Sequence, residues 1–312
     1  MKQIVVLAAM VFLLAFGGCH TGSNPGKGEK ALSESFPPGL VKIKSYGQDS
    51  LFSGTYASTW DSLIRERGFI LKEDGLYKMW YSGYNPNRQE EIHLGYATSS
   101  DGIHWERYPG NPIYKDGWVE DMMVWHEGDT YYMFAEGLND VAHMLTSQDG
   151  IHWQEQGSLD IRKTNGDTVQ GPYGTPTAWY EKGTWYLFYE KKDLGIWLAT
   201  STDLKVWKNV SDEPVIAMGP EPFDKHAVAM DQVIKYKGRY YGYYHANTDD
   251  PWTREGWNSC VAVSDDLVHW KKYPGNPLVN EGKDSPVVVW DGEQYRLYTM
   301  HPAVYLYLPE EK

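Results

Sequence analysis

Carboxylates recur at one place in this chain. Ahead of each of five Tyr- and Trp-rich segments stands an acidic or polar stretch. These are Trp60-Asp61-Ser62-Leu63-Ile64-Arg65-Glu66-Arg67, then Trp118-Val119-Glu120-Asp121, then Gln170-Gly171-Pro172-Tyr173-Gly174-Thr175-Pro176. The fourth holds Glu221, Asp224-Lys225-His226 and Asp231, and the fifth Asp284-Ser285-Pro286. Asp121 and Asp231 each precede a turn glycine (Gly128, Gly238) by seven residues, which predicts equivalent placement. Carboxylates gathered on one pocket suit acid/base work on an acetal. One must be ionised to activate water or attack carbon, and another protonated to release the leaving oxygen. Crowding itself separates their pKa values, because like charges disfavour joint ionisation. The candidate catalytic residues are Asp61, Glu66, Asp121 and Asp231, and the candidate substrate-binding residues are Glu120, Gln170, His226, His245 and Asp284.

The elements that must position them form a repeat. Tyr77, Tyr131, Trp185, Tyr240 and Tyr295 open equivalent strands after a turn, at spacings of 54, 54, 55 and 55 residues. Period-2 alternation and Gly-containing turns accompany them, and no long 3.6-residue periodicity occurs. A fixed period of that size built from short strands predicts an all-β, five-bladed β-propeller. The innermost strand of each blade then starts near the central axis, so the five polar stretches converge. A second motif falls between these strands, as Ser99-Ser100-Asp101-Gly102-Ile103-His104-Trp105 and Ser147-Gln148-Asp149-Gly150-Ile151-His152-Trp153, with looser copies ending at Trp207 and Trp270. Its Ser and Asp are read as capping a turn and its Trp as packing between blades, so His104, His152 and His269 are structural. His245 has no such repeat explanation. The last blade lacks chain for a fourth strand, and residues 40–46 are expected to complete it and remove the open sheet edges.

Composition narrows the function classes. The 312 residues carry a net charge of −13, which disfavours nucleic acid, since phosphate binding needs a basic footprint. The mean hydropathy of −0.56 excludes a multispanning membrane protein. Two cysteines provide no disulfide framework. The apolar run Ile4 to Phe16, after Lys2 and before Gly17-Gly18-Cys19, reads as a lipoprotein signal over 1–18. Cys19 is then the lipidated residue, 19–38 a flexible tether and 39–312 the propeller domain, held at a bacterial cell envelope by the lipid alone. Cys260 is expected to be a small buried hydrophobe.

The repeats and the polar stretches together resemble the five-bladed glycosidases of glycoside hydrolase families 43, 32 and 117 and, more distantly, family 130. The resemblance covers roughly residues 40–308. Family 43 implies a base at Asp61 or Glu66 and a pKa-tuning role for Asp121. Its blade 3 Glu-Gly-Pro has no acid here, where Gly174-Thr175-Pro176 or Gln170-Gly171-Pro172 stands. The Asn-Asp-Pro-Asn of family 32 is also missing. The acid is then sought at Asp231, Glu221 or a histidine, and the family 117 likeness points to His226, His245 or His301. Tyr244-His245 is similar to a Tyr-His pair of family 130, whose members include phosphorylases. The resemblance implies an exo-acting glycosidase that removes a terminal sugar from an oligosaccharide. The alternative is a propeller that binds glycan without cleaving it, and a sialidase, lacking a clustered Arg triad, ranks last. No cofactor is expected and no metal-ligand spacing appears, with a Ca²⁺ held by axial carboxylates the alternative left open. A closed propeller with its own core is expected to be a monomer.

Overall fold

The computed structural model describes residues 35–88 and 92–310. The signal segment and Cys19 lie outside the described residues. Among those described, the strands form five antiparallel sheets arranged as propeller blades. Blade 1 comprises Leu63–Glu73, Leu76–Tyr84, Ile92–Ser99 and Glu106–Arg107. Blade 2 comprises Glu120–Glu127, Thr130–Gly137, Val141–Ser147 and Gln154–Ser158. Blade 3 is built on Thr177–Glu181, Thr184–Glu190, Gly195–Ser201 and Val206–Asn209, with Asp160–Arg162 added in parallel at its edge. Blade 4 comprises Ala227–Tyr236, Arg239–Asn247, Trp257–Ser264 and Trp270–Lys272. Blade 5 comprises Asp284–Trp290, Tyr295–His301 and Tyr305–Pro309, completed by Ile43–Ser45 from the start of the domain. Ile43 pairs with Pro309 and Ser45 with Tyr307, antiparallel, so the ring closes as the sequence predicts.

The first strands of successive blades lie side by side around the axis, and that of blade 5 returns to blade 1. Aromatic side chains fill the space between blades. Trp153 of blade 2 meets Trp80 of blade 1, Trp207 of blade 3 meets Phe134 of blade 2, and Trp270 of blade 4 meets Phe188 of blade 3. Trp105 instead packs on Tyr77 of its own sheet. The repeated turn is built as its composition implies. Ser147 Oγ accepts the Gly150 N–H at 2.9 Å, and Asp149 Oδ1 accepts those of Ile151 and His152 at 2.9 and 2.8 Å. His104, His152 and His269 each place Nδ1 2.7 Å from the Asp of their own turn. Cys260 is fully buried.

Arg67 occupies the axis and is fully buried. Its guanidinium donates to Thr177 Oγ1 at 2.8 Å, to the Met230 and Asp231 carbonyls at 2.9 Å, and to the Pro176 and Asp121 carbonyls. One side chain of blade 1 thereby satisfies acceptors of blades 2, 3 and 4. Those carbonyls converge where the inner strands crowd together; the Thr177 hydroxyl reaches two of them, Met230 and Asp231, at 3.0 and 2.9 Å, and the guanidinium spares the set the cost of buried unpaired acceptors.

Candidate active site

The inner strands do not enter the axis as regular strands. Pairing shifts register between Arg65 and Phe69, between Glu120 and Met123, and between Met230 and Gln232. At or beside these entries four non-glycine residues take left-handed backbone: Glu66 at φ 44°, Asp121 at 44°, Thr175 at 43° and Ser285 at 56°. Bulges of this kind re-aim side chains, and such strain persists only where the surroundings fix it. Here Glu66, Asp121 and Thr175 are turned onto the wall of one pocket of about 360 Å³. That is near the small end of the roughly 300–1,000 Å³ typical of ligand sites.

Seven carboxyl groups line the pocket: Glu66, Glu120, Asp121, Glu136, Asp140, Glu190 and Asp193. Arg65, Lys192, His245 and His301 supply the basic groups, and Trp252 and Trp257 the aromatic wall. Burial, then the Glu66 charge, pushes Asp121 up to about 8. Burial and the neighbouring Asp121 charge carry Glu136 well above the usual carboxylate range. Burial and Asp193 raise Glu190 to about 7. Asp193 is raised by burial to about 6, with the His245 charge opposing. Burial also raises Glu120, against the pull of Arg65, whose Nε lies 2.8 Å away.

His245 forms the floor. Burial alone would lower its pKa, but the Asp231 charge and hydrogen bond, joined by the charges of Asp121 and Asp284, push it up to about 10. Its Nδ1 is 2.9 Å from Asp231 Oδ1. His301 is also raised: burial opposes, and the charges of Glu66 and Asp284, 3.4 and 3.5 Å from its Nδ1, prevail.

The sequence candidates separate into three groups. Glu66, Glu120, Asp121 and His245 share the pocket. Asp231 and Asp284 stand behind it, fully enclosed, holding His245 and His301 respectively. Asp61, Gln170 and His226 are placed elsewhere. Asp61 is buried in blade 1, where Oδ2 accepts from Arg107 Nε at 2.9 Å and Tyr81 Oη at 3.2 Å. Gln170 is exposed on a loop, and His226 faces an adjoining groove. Asp121 and Asp231 are also not equivalent in exposure: the first faces the pocket and the second is sealed beneath it.

Glu136 and Glu190 escaped the sequence reading. They stand beside the inner-strand entry of blade 3, Gly174-Thr175-Pro176, which carries no acid of its own. Glu190 Oε1 accepts the Gly174 N–H at 2.7 Å, and Glu136 Oε2 accepts the next amide, of Thr175, at 2.8 Å. Gly174 leaves room there: a Cβ would meet the carboxylates of Glu136 and Glu190 and displace them. The signal was present in the repeat: five residues past the recurring aromatic stand Glu136, Glu190 and His245 in blades 2, 3 and 4. Among the described residues no group of three or more His, Cys, Asp or Glu is arranged to hold a metal ion.

An all-β ring of five blades around a carboxylate-rich axial pocket is the architecture of the five-bladed glycosidase propellers, and the comparisons bear out that resemblance. Residues 175–303 match the family described as Glycosyl hydrolases family 32 N-terminal domain. The chain is 29% identical over 136 residues to a sucrose-6-phosphate hydrolase of Escherichia coli, covering 37% of this chain and 28% of that protein. It is 23% identical over 229 residues to a 1,2-beta-oligomannan phosphorylase of Thermoanaerobacter sp., covering 68% of this chain and 74% of that one. The structure of a beta-1,2-mannobiose phosphorylase from Listeria innocua superposes with a TM-score of 0.66 at 14% identity, over 85% of this chain and 95% of that one. These likenesses support a carbohydrate-active enzyme with a glycoside-hydrolase-like propeller.

Proposed function

We propose that the chain is an exo-acting glycoside hydrolase that removes a terminal sugar held in the axial pocket. The observation that carries this reading is the placement of Asp121 and Glu66 on adjacent inner strands, both turned into one pocket by left-handed backbone. Asp121, pushed up to about 8, holds its proton at neutral pH and donates it to the glycosidic oxygen as the C–O bond breaks. Asp121 thus takes the acid role in place of the tuning role implied by the family 43 likeness. Glu66 lies 3.4 Å from both Arg65 and His301, and is the carboxylate assigned to accept a proton from water attacking the anomeric carbon. Trp257 and Trp252 offer ring faces or edges to the C–H surface of the sugar. The site works on a chain that we propose is tethered at the cell envelope through Cys19.

A second reading is phosphorolysis, in which inorganic phosphate replaces water. The basic wall of Arg65, Lys192, His245 and His301 favours it, as does the likeness to mannoside phosphorylases. Incubation of the full chain with an oligosaccharide panel, with and without inorganic phosphate, separates the readings by product. Release of the free terminal sugar without added phosphate supports hydrolysis, and a sugar 1-phosphate formed from it only when phosphate is present supports phosphorolysis. Binding of a glycan with no product would leave the non-catalytic alternative.

A further inference from the structure

Beside the axial pocket lies a groove of about 630 Å³, walled by Leu194, Met218, His226, Asp250, Pro251 and Trp252. Its large apolar side chains are unusually open for their type: Trp252 is 49% exposed, Leu194 48% and Met218 39%. Two features join groove and pocket. Trp252 lines both. In the blade 3 loop, Lys192 and Asp193 adopt left-handed backbone at φ 56° and 57°, after which Asp193 faces the pocket and Leu194 the groove. The shared wall is fixed by the Val228 N–H, which donates to the Asp193 carbonyl at 2.9 Å.

The rings of His245, Trp257 and Trp252 form an edge-to-face series with centroids 5.3 and 5.4 Å apart. That series runs from the buried floor to the open rim. Trp252 is held there, since its indole Nε1 donates to the His226 carbonyl at 3.2 Å. A ring ordered in advance loses little conformational freedom when a ligand settles on it.

We propose that this groove binds the sugar unit on the leaving side of the scissile bond. The assignment rests on the reading of the pocket as the terminal-sugar site. Trp252 is common to pocket and groove, so a chain whose end fills the pocket finds in the groove an adjoining surface for its next unit. A sugar ring has an apolar C–H face and a rim of hydroxyls. Trp252, Leu194 and Met218 match the face, and the His226 imidazole and Asp250 carboxylate match the rim.

Calorimetric titration of the full chain carrying Asp121→Asn, which removes the proposed proton donor and should slow cleavage enough for binding to be read, tests the groove. The probes are sucrose, raffinose, β-1,2-mannobiose and β-1,2-mannotriose, against free glucose, fructose and mannose. The expected result is a preference of about tenfold or more for one oligosaccharide over its terminal monosaccharide, equivalent to ~1.4 kcal/mol. The exposed pair Leu194→Ser/Met218→Ser should remove that preference and leave monosaccharide affinity in place. Asp250→Ala, on the polar side, should weaken the preference independently. Retention of the preference in both variants would overturn the groove assignment while the pocket reading stands. Absence of binding by every sugar would overturn the pocket reading and the groove with it.

Discussion

His245 Nδ1 stands 2.9 Å from Asp231 Oδ1, with the imidazole on the pocket floor and the carboxylate sealed beneath it. The pair sets a positive charge at the bottom of a pocket otherwise crowded with acids. In the proposed site Asp231 acts through His245, as a positioning residue. Asp231→Asn removes the charge that lifts His245 to about 10 and leaves the burial that lowers it, so the imidazole pKa should fall. The sign for stability follows. A His pKa raised above its unfolded value of about 6.5 gives stability that is fully present below that pH and lost as pH rises through about 10. NMR titration of the His245 ring should show the drop, and thermal melts of the variant should depend less on pH over that window. An unchanged His245 pKa would remove Asp231 from this role.

Asp121 should govern the alkaline side of the pH–rate profile. In the proposed role of proton donor it must be protonated, so kcat/KM should fall as pH rises through about 8. The same raised pKa makes the stability contribution of the carboxyl complete below its unfolded value of about 3.9 and lost as pH climbs through about 8. Asp121→Asn should accordingly gain melting temperature relative to the parent at pH 9 compared with pH 5. A profile flat to pH 9.5 would count against the assignment.

Arg67 should be the costliest single truncation at the axis. Arg67→Met leaves the Pro176 carbonyl without its guanidinium donor, the Met230 and Asp231 carbonyls sharing only the Thr177 hydroxyl, and Asp231 Oδ1 without a cation 3.7 Å away. Breaking a buried charge contact in this way costs about 3–5 kcal/mol. Urea denaturation should show a loss of that order, and a change below about 1 kcal/mol would mean that water replaces the guanidinium readily.

The fold was legible because its repeat is carried by large aromatics. Tyr77, Tyr131, Trp185, Tyr240 and Tyr295 mark one strand position in every blade, and burial of such rings ties the period directly to the core. Closure was legible from what the last blade lacked, and Ile43–Ser45 supplies it. The site was only half legible. Glu66, Glu120 and Asp121 stand in the inner-strand entries where an axial pocket directs attention. Asp61 shares their stretch of sequence, but Arg107 and Tyr81 hold it within blade 1. Glu136 and Glu190 come from the second strands and meet beside Gly174, whose missing Cβ leaves room for both carboxylates. That is a three-dimensional coincidence of two blades, which a pattern confined to inner strands does not express.

The most direct test of a glycosidic-bond-cleaving pocket with Asp121 as proton donor compares two leaving groups. The parent chain and Asp121→Asn would be assayed on the oligosaccharide that the parent cleaves and on the 2,4-dinitrophenyl glycoside of the same terminal sugar. Dinitrophenolate departs without protonation. The account predicts a loss of about 10²–10⁴-fold on the oligosaccharide and a far smaller loss on the dinitrophenyl glycoside. Equal losses on both substrates, or full activity of the variant on the oligosaccharide, would contradict it.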